Sequence, residues 1–153
     1  MTEEVRGHER WMRLAVSLAR QCPPSDTAFS VGAVIVDATG AELSRGFSRE
    51  GGDPVVHAEE SALGKLSPSD PRLAGGTIYS TLEPCSHRKS RPRTCTDLII
   101  AAGLGRVVIA WREPALFVAD ARGYELLTRA GLTVTELPEF AADAIAPNRH
   151  LVG

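Results

Sequence analysis

Two runs of apolar residues with a helical segment between them constrain the fold of this chain most strongly. The runs are "RVVIAW" at 106–111 and "LTVTEL" at 132–137, and both are rich in the β-branched residues that favour strands. Residues 119–131 between them have helical spacing and end in a glycine, which is a typical helix stop. Because neighbouring parallel strands need a long crossover, usually a helix, this order predicts that the two strands are parallel.

The first half of the chain predicts three more strands. "VGAVIV" at 31–36 is an unbroken apolar run, the "DATG" after it is a turn signal, and residues 42–49 continue with polar and apolar residues in alternation. These two segments are predicted to pair as a hairpin. "TIYSTL" at 77–82 predicts a further strand, which ends just before the "EPC" of residues 83–85.

Helical spacing of apolar residues predicts the remaining elements, which are helices at 9–22, 57–65 and 96–103 and a helical tail from Pro138. Trp11 lies in the apolar stripe of the first of these. We therefore predict one domain over residues 1–153 with a three-layer α/β fold. Its mixed sheet of about five strands should carry helices on both faces, with the last two strands parallel.

The composition limits the classes of partner. No apolar run reaches the length of a membrane span, so no membrane partner is expected. The first residues, "MTEEVRGHERW", are acidic and lack an apolar signal region, and we expect a cytoplasmic protein. The net charge of -2 offers no broad positive surface for a polyanion, which makes a nucleic-acid partner unfavourable.

The cysteines and one histidine predict a zinc site. Cys22, Cys85 and Cys95 are an odd count in a chain without an export signal, which argues against a disulfide framework. His57, Cys85 and Cys95 supply imidazole and thiolate ligands of the kind that zinc prefers, and three such ligands leave a fourth tetrahedral position for water. Cys22 is expected to pack the first helix instead.

Glu59 is the predicted proton carrier of this site. In mid-helix, residues two apart point to nearly opposite sides, but in the first turn His57 can bind the metal while Glu59 reaches the water on it. Zinc lowers the pKa of a bound water from about 15.7 to about 7. Glu59 would take the proton of that water and pass it to a ring nitrogen and then to a departing amine. The predicted reaction is hydrolytic deamination.

The "HAE" of residues 57–59, followed by "TLEPCSH" at 81–87 and a later cysteine, resembles the zinc-dependent cytidine deaminase superfamily. Within it, "IYSTLEPCSH" and "LIIAAGLGRVVIAW" are most similar to the deaminase of riboflavin biosynthesis. The resemblance implies a Zn²⁺-dependent hydrolase that releases ammonia from a diaminohydroxy-phosphoribosylaminopyrimidine or a similar small heterocyclic amine. It also implies a homodimer, and we expect the deaminase to stand alone, without the reductase domain that accompanies it in that family.

Three features of the sequence differ from the riboflavin-pathway pattern. Nine residues separate Cys85 from Cys95, one more than is usual there. Ala28-Phe29 replace an Asn-Pro, and Glu113-Pro114-Ala115 replace an Asp-Pro-Asn, so two polar contacts are expected to be missing. "TAFSVGA" at 27–33 instead resembles a stretch of the cytidine deaminases. The ring of the substrate therefore stays open among cytosine, guanine, a riboflavin precursor and an antibiotic intermediate.

The same resemblance suggests the substrate contacts. Phe29 would form a wall against the ring, and Ala58 and His87 would also line the substrate site. Glu83 would orient the site by accepting backbone N–H bonds. A cationic segment between the two cysteines can bind a phosphate or carboxylate of the substrate, or can simply be a solvated face. Its cations are Arg88, Lys89, Arg91 and Arg93.

Two other classes of function compete with a small-molecule deaminase. The first is a tRNA-editing deaminase, which needs a basic groove to which only residues 88–93 contribute. The second is a non-catalytic zinc protein, in which a further ligand such as His87 closes the fourth position. An intact Glu59 argues against the second class.

Overall fold

A mixed sheet of five strands forms the centre of the molecule. The computed structural model describes residues 3–88, 90–114 and 122–152. Strand β1 pairs antiparallel with both of its neighbours β2 and β3, while β3, β4 and β5 are parallel, and the order across the sheet is β2-β1-β3-β4-β5. The predicted hairpin and the predicted parallel pair at the end of the chain are both confirmed. The strands are β1 (Gly32–Val36), β2 (Glu42–Phe47), β3 (Thr77–Leu82), β4 (Arg106–Trp111) and β5 (Thr133–Glu136).

Helices cover both faces of this sheet, as predicted for a three-layer α/β fold. Helices α2, α3 and α4 contribute to one apolar cluster, and α1 and α5 contribute to a second cluster on the opposite face. Short 3₁₀ turns connect several of these elements. The helices are α1 (Glu3–Ala19), α2 (Ala58–Gly64), α3 (Cys95–Ala101), α4 (Gly123–Arg129), α5 (Ala141–Ile145) and α6 (Arg149–Val152).

The alternation of side chains along each strand divides the core between the two faces. In β1, Ala33 and Ile35 face the cluster of α2, whereas Val34 and Val36 face the cluster of α1. Strand β4 divides its residues in the same way. This explains why both strands read as continuous apolar runs, since a strand buried on both faces has no solvent-exposed side.

Some element boundaries differ from the sequence-based prediction. Helix α1 begins at Glu3 rather than at residue 9. Strand β2 ends at Phe47, because Arg49 adopts a left-handed conformation with φ of 61°. Helix α4 is shorter than the predicted span of 119–131, and residues 115–121 lie outside the described part of the chain.

In the described ranges, every helix is too short or too polar to cross a lipid bilayer.

The sheet brings the ends of three strands to one edge. The carboxyl ends of the parallel strands β3 and β4 lie there, and so does the amino end of β1, which runs in the opposite direction. Loops that leave the carboxyl ends of parallel strands are the usual ligand-binding regions of open α/β sheets. The residues after β3, after β4 and before β1 are therefore neighbours.

A substitution at Gly32 tests how closely α1 packs on β1. A Cβ atom at this position would overlap the carbonyl oxygen of Ala15 and would lie 2.7 Å from the backbone nitrogen of Ala19. We expect Gly32→Ala to lower the free energy of unfolding by about 1–3 kcal/mol or more, because neither backbone can give way easily. Urea denaturation followed by circular dichroism measures this change.

Gly7→Ala is the matched control, because Gly7 lies within α1 and has open space where a Cβ would be added. Alanine there should raise stability by about 0.5–1 kcal/mol through its better helix propensity. Equal effects of the two substitutions would contradict the close helix–sheet contact.

Candidate active site

The start of α2 positions His57. His57 precedes the first helical residue, with extended backbone angles, φ −89° and ψ 159°. Its backbone N–H donates to Oε1 of Glu60, three residues along, at 3.2 Å. An acidic residue at this position of a helix commonly satisfies the N–H of the capping residue. Ala58 and Ala62 are fully buried and hold α2 against the sheet.

The two cysteines lie where the loop after β3 contacts the start of α3. Cys85 follows β3, and its carbonyl oxygen accepts a hydrogen bond from the backbone N–H of Thr96 at 3.1 Å. Cys95 is the first residue of α3, which Thr94 and Asp97 cap with reciprocal hydrogen bonds of 3.1 Å each. The cap fixes the point at which α3 begins and so fixes Cys95.

The three predicted metal ligands converge. Nδ1 of His57 lies 3.6 Å from Sγ of Cys85 and 3.3 Å from Sγ of Cys95, and the three ligand atoms all lie within 4.8 Å of one another. In a tetrahedral zinc site with Zn–S bonds of about 2.3 Å and Zn–N bonds of about 2.0–2.1 Å, the N···S separation is about 3.6 Å. The spacing and the chemistry of these three donors therefore fit a zinc ion.

The ionisation of the two cysteine side chains also favours a bound cation. Hydrogen bonds from Cys95 and from His57 lower the pKa of the Cys85 thiol, against the effect of burial. The neighbouring Cys85 and burial raise the pKa of the Cys95 thiol. A backbone N–H of Cys95 also donates to Sγ of Cys85 at 3.3 Å. One negative charge is thus easily held by the pair, and a divalent cation would allow both thiols to ionise.

Glu59 lies next to this group and is nearly inaccessible to solvent, with 4% of its surface exposed. Burial raises the pKa of its carboxyl group to about 7, and the negative charge of Cys85 acts in the same direction, while His57 opposes the shift. Glu59 also lines the cavity beside the ligands. A carboxyl group in these surroundings can exchange a proton with a molecule in that cavity.

A cavity of about 720 Å³ opens beside the ligand group. Phe29 lies on its wall, with its ring edge-to-face against Trp111 at a centroid distance of 5.7 Å. The size is typical of a site for a small organic molecule. Besides the metal ligands His57 and Cys85, six residues predicted for the site line this cavity, namely Phe29, Ala58, Glu59, Glu83, His87 and Arg88.

Glu83 connects the loop after β3 to the segment after β4 and to the start of α4. It is buried, its Oε1 accepts the backbone N–H of Glu113 at 3.0 Å, and its Oε2 accepts that of Tyr124 at 2.7 Å. A carboxylate that accepts two backbone N–H bonds is strongly held. These contacts match the kind of bond expected of Glu83, and its role in orienting the site remains a prediction.

Two of the four cations in the cationic segment are paired with carboxylates of the chain itself. Arg88, with 2% of its side chain exposed, donates to Glu60 at 2.9 Å. Arg91 donates to Glu60 at 2.9 Å and to Asp53 at 2.8 Å. Arg93 is exposed and contacts the carbonyl oxygen of Asp97 at 3.5 Å. Lys89 lies outside the described residues. Arg91 and Arg93 do not line the cavity, whereas Arg88 does.

Three residues at the site were not identified from the sequence as site residues. Arg49 lines the cavity and donates to the carbonyl oxygens of Pro23 and Phe29, which holds the loop before β1. Glu113 also lines the cavity, where burial and the negative charge of Cys85 raise its carboxyl pKa to about 7. Glu60 binds the backbone of His57. Only Glu60 had a local signal, an acid three residues after a helix cap.

The chain is similar in sequence to known zinc-binding deaminases. A family model described as the cytidine and deoxycytidylate deaminase zinc-binding region matches residues 5–111. The diaminohydroxyphosphoribosylamino-pyrimidine deaminase of Schizosaccharomyces pombe is 43% identical over 140 residues, which are 90% of this chain and 34% of that protein. The chain spans about a third of the length of the first curated relatives that it matches.

Solved structures agree with these sequence matches. RibD of Acinetobacter baumannii superposes with a TM-score of 0.82 at 28% identity, over 98% of this chain and 40% of that one. The Rib2 deaminase of Aspergillus oryzae, as a C-terminal deletion mutant, has a TM-score of 0.72 at 25% identity, over 95% of this chain and 99% of that one. The three-layer α/β fold is thus shared along nearly the whole described chain.

Zinc content tests the ligand set. We expect the purified protein to carry one zinc ion per chain and Cys95→Ser to lose it during dialysis against a mild chelator, because one of three protein ligands is removed. Inductively coupled plasma mass spectrometry measures the metal. Cys22→Ser is the control, since Cys22 is not one of the three grouped ligands and its Sγ lies 3.4 Å from the carbonyl oxygen of Val31. Full zinc retention by Cys95→Ser would contradict the assignment.

Proposed function

Since the chain belongs to the family of the cytidine and deoxycytidylate deaminase zinc-binding region, we propose that it is a zinc-dependent hydrolytic deaminase. It would remove an exocyclic amine, as ammonia, from a small aminopyrimidine-type nucleobase, nucleoside or nucleotide. One observation carries this proposal. The three ligand atoms of His57, Cys85 and Cys95 lie within 4.8 Å of one another beside a cavity that Glu59 also lines.

His57, Cys85 and Cys95 would hold zinc beside the cavity. A zinc ion bound there would supply a hydroxide nucleophile at neutral pH, because zinc lowers the pKa of a bound water to about 7. Three protein donors are the number found in catalytic rather than structural sites. The non-catalytic hypothesis requires a fourth protein ligand, and among the described residues the group of possible metal ligands contains only these three.

Glu59 would move the protons of the reaction. Its carboxylate would take a proton from the attacking water and deliver it to the ring nitrogen next to the carbon under attack. A new C–O bond forms at that carbon. Glu59 would then take the proton of the new hydroxyl group and deliver it to the exocyclic amine, so that the C–N bond breaks and ammonia leaves a carbonyl product. Burial of Glu59 excludes bulk water, which would otherwise compete for these protons.

The cavity residues would hold the heterocycle against the reacting groups. Phe29, supported by Trp111, would provide a flat apolar wall for the ring. Ala58 lies at the first position of α2, between His57 and Glu59, where a small side chain leaves room for the ring. His87, also on the cavity wall, would hydrogen-bond to the substrate. Glu83 would keep the loops around them in place.

The favoured substrate is the phosphoribosylated pyrimidine of riboflavin biosynthesis. The Schizosaccharomyces pombe relative is named a deaminase of this compound and is 43% identical over 90% of this chain. The cavity of about 720 Å³ has room for a ring and a sugar phosphate. Arg88 is the member of the cationic segment that lines the cavity, where its charge is already paired with Glu60.

The paired state of the cationic segment supports a small-molecule substrate over an RNA. Arg88 and Arg91 are paired with Glu60 and Asp53, so these two of the four cations at residues 88–93 are not free to bind a nucleic-acid backbone. The homodimer, the cytoplasmic location and the single domain over 1–153 remain predictions from the sequence. Light scattering of the purified protein would test the first of these.

Ammonia release tests the activity and its proton carrier. We expect Glu59→Gln to lower kcat by about 10²–10⁴-fold, because the amide cannot accept the proton of water, while zinc content stays unchanged. A coupled ammonia assay over diaminopyrimidine ribotides, cytosine and guanine compounds measures the rate. Glu139→Gln, at an exposed position, is the control.

The substrate panel separates the remaining alternatives. Activity confined to the phosphoribosylated pyrimidine supports the favoured substrate, and activity on cytidine or guanine compounds would replace it. If the zinc-loaded protein and Glu59→Gln are equally inactive on all of them and on a tRNA, a deaminase of these substrate classes would be contradicted.

A further inference from the structure

We infer that Glu60 is a positioning residue, which holds the metal ligand His57 in a fixed position relative to the segment that joins the other two ligands. That segment, residues 86–94, lies between Cys85 and Cys95 and contains Arg88 and Arg91. The inference rests on the proposed zinc site and does not depend on which substrate is deaminated. It assigns a role to a residue next to Glu59 that is itself neither a predicted ligand nor a proton carrier.

The carboxylate of Glu60 accepts three hydrogen bonds that join two parts of the site. Its Oε1 accepts the backbone N–H of His57 at 3.2 Å and Nη2 of Arg88 at 2.9 Å. Its Oε2 accepts Nε of Arg91 at 2.9 Å. A helix-capping glutamate needs only the first of these bonds. The other two connect the helix start to the segment between the cysteines.

The surroundings of Arg88 make this connection tight. The Arg88 side chain is 2% exposed and donates also to the carbonyl oxygen of Val55 at 2.6 Å and to Oγ of Ser90 at 2.9 Å. A buried guanidinium that loses its carboxylate partner is left with an uncompensated charge, which is strongly unfavourable. Arg88 therefore binds Glu60 firmly, and the segment is held close to α2.

Arg91 and Asp53 complete the charge balance. Arg91 lies between Glu60 and Asp53, with Nη2 donating to Oδ2 of Asp53 at 2.8 Å. Two guanidinium groups and two carboxylates give this network of four side chains no net formal charge.

Glu60 connects the segments that carry the three metal ligands, and this connection should affect zinc affinity. His57 is carried by the start of α2, whereas Cys85 and Cys95 are carried by the two ends of the segment that Arg88 and Arg91 anchor to Glu60. Groups that orient metal ligands from outside the coordination sphere commonly contribute about 10- to 100-fold to metal affinity. Glu60 should therefore raise zinc affinity and not only fold stability.

Zinc competition with a chromophoric chelator at one fixed pH tests this role. We expect Glu60→Gln to weaken zinc binding by about 10- to 100-fold. The amide keeps the shape and one oxygen for the N–H of His57 but loses the charge that holds both arginines. Glu50→Gln is the matched control, because Glu50 makes a comparable ion pair of 2.8 Å with Lys65 and binds Ser61 of α2 without contacting a ligand. Its zinc affinity should stay within about twofold of the wild type.

The melting temperature of each variant separates positioning from a purely structural role. A lower melting temperature of Glu60→Gln with unchanged zinc affinity would overturn the inference, because removal of a simple helix cap lowers stability without changing metal binding. If Glu60→Gln does not fold, Arg91→Gln takes its place, since the Arg91 side chain is 34% exposed. It should weaken zinc binding in the same direction, and an unchanged affinity there would also overturn the inference.

A double variant tests whether Glu60 acts through Arg91. Glu60→Gln combined with Arg91→Gln should bind zinc no more weakly than Glu60→Gln alone, because both changes break the same connection. Additive losses would contradict that route. Zinc affinity is measured without any substrate, so failure of this inference is distinguishable from failure of the proposed deaminase activity.

Discussion

Two buried thiols and an imidazole held within 4.8 Å of one another are the constraint on which the site depends. Burying a charged thiolate is unfavourable, and two neighbouring thiolates are more so unless a cation compensates them. The pKa shifts of the pair show this conflict, since that of Cys85 is lowered and that of Cys95 is raised. A zinc ion bound by the three groups would resolve this conflict and would join three separate segments into one site.

The helices that carry these ligands are too short to hold them without help. Helices α2 and α3 have seven residues each, and isolated helices shorter than about 12–15 residues are marginal in water. Their stability comes from buried contacts with the sheet through residues such as Ala62 and Ile99, and from the caps at Glu60 and Thr94. The edge of the sheet thus determines where the ligands meet, and the caps determine at which residue each helix begins.

Much of this arrangement could be predicted from the sequence because it depends on local patterns. The crossover between β4 and β5 follows from apolar runs and the helical segment between them. The ligand set follows from residue types, since His57, Cys85 and Cys95 suit zinc and lie at predicted helix starts or strand ends. The contacts across the cavity could not be predicted in the same way, because they join residues far apart in the chain.

The cationic segment illustrates the difference. As a sequence it predicts either an anion site or a solvated face, whereas the structure pairs Arg88 and Arg91 with Glu60 and Asp53. Nothing local in residues 86–94 indicates which carboxylates lie opposite. The left-handed conformation of Arg49 and the position of Glu113 on the cavity wall are tertiary features of the same kind.

X-ray absorption spectroscopy at the zinc edge tests the central claim most directly, because it counts the atoms bound to the metal. We expect two sulfur neighbours at about 2.3 Å and one imidazole, with a further light atom at about 2.0–2.1 Å that is not part of a second imidazole. A second imidazole or a third sulfur would mean that the protein closes the fourth position, and the site would then be structural rather than catalytic.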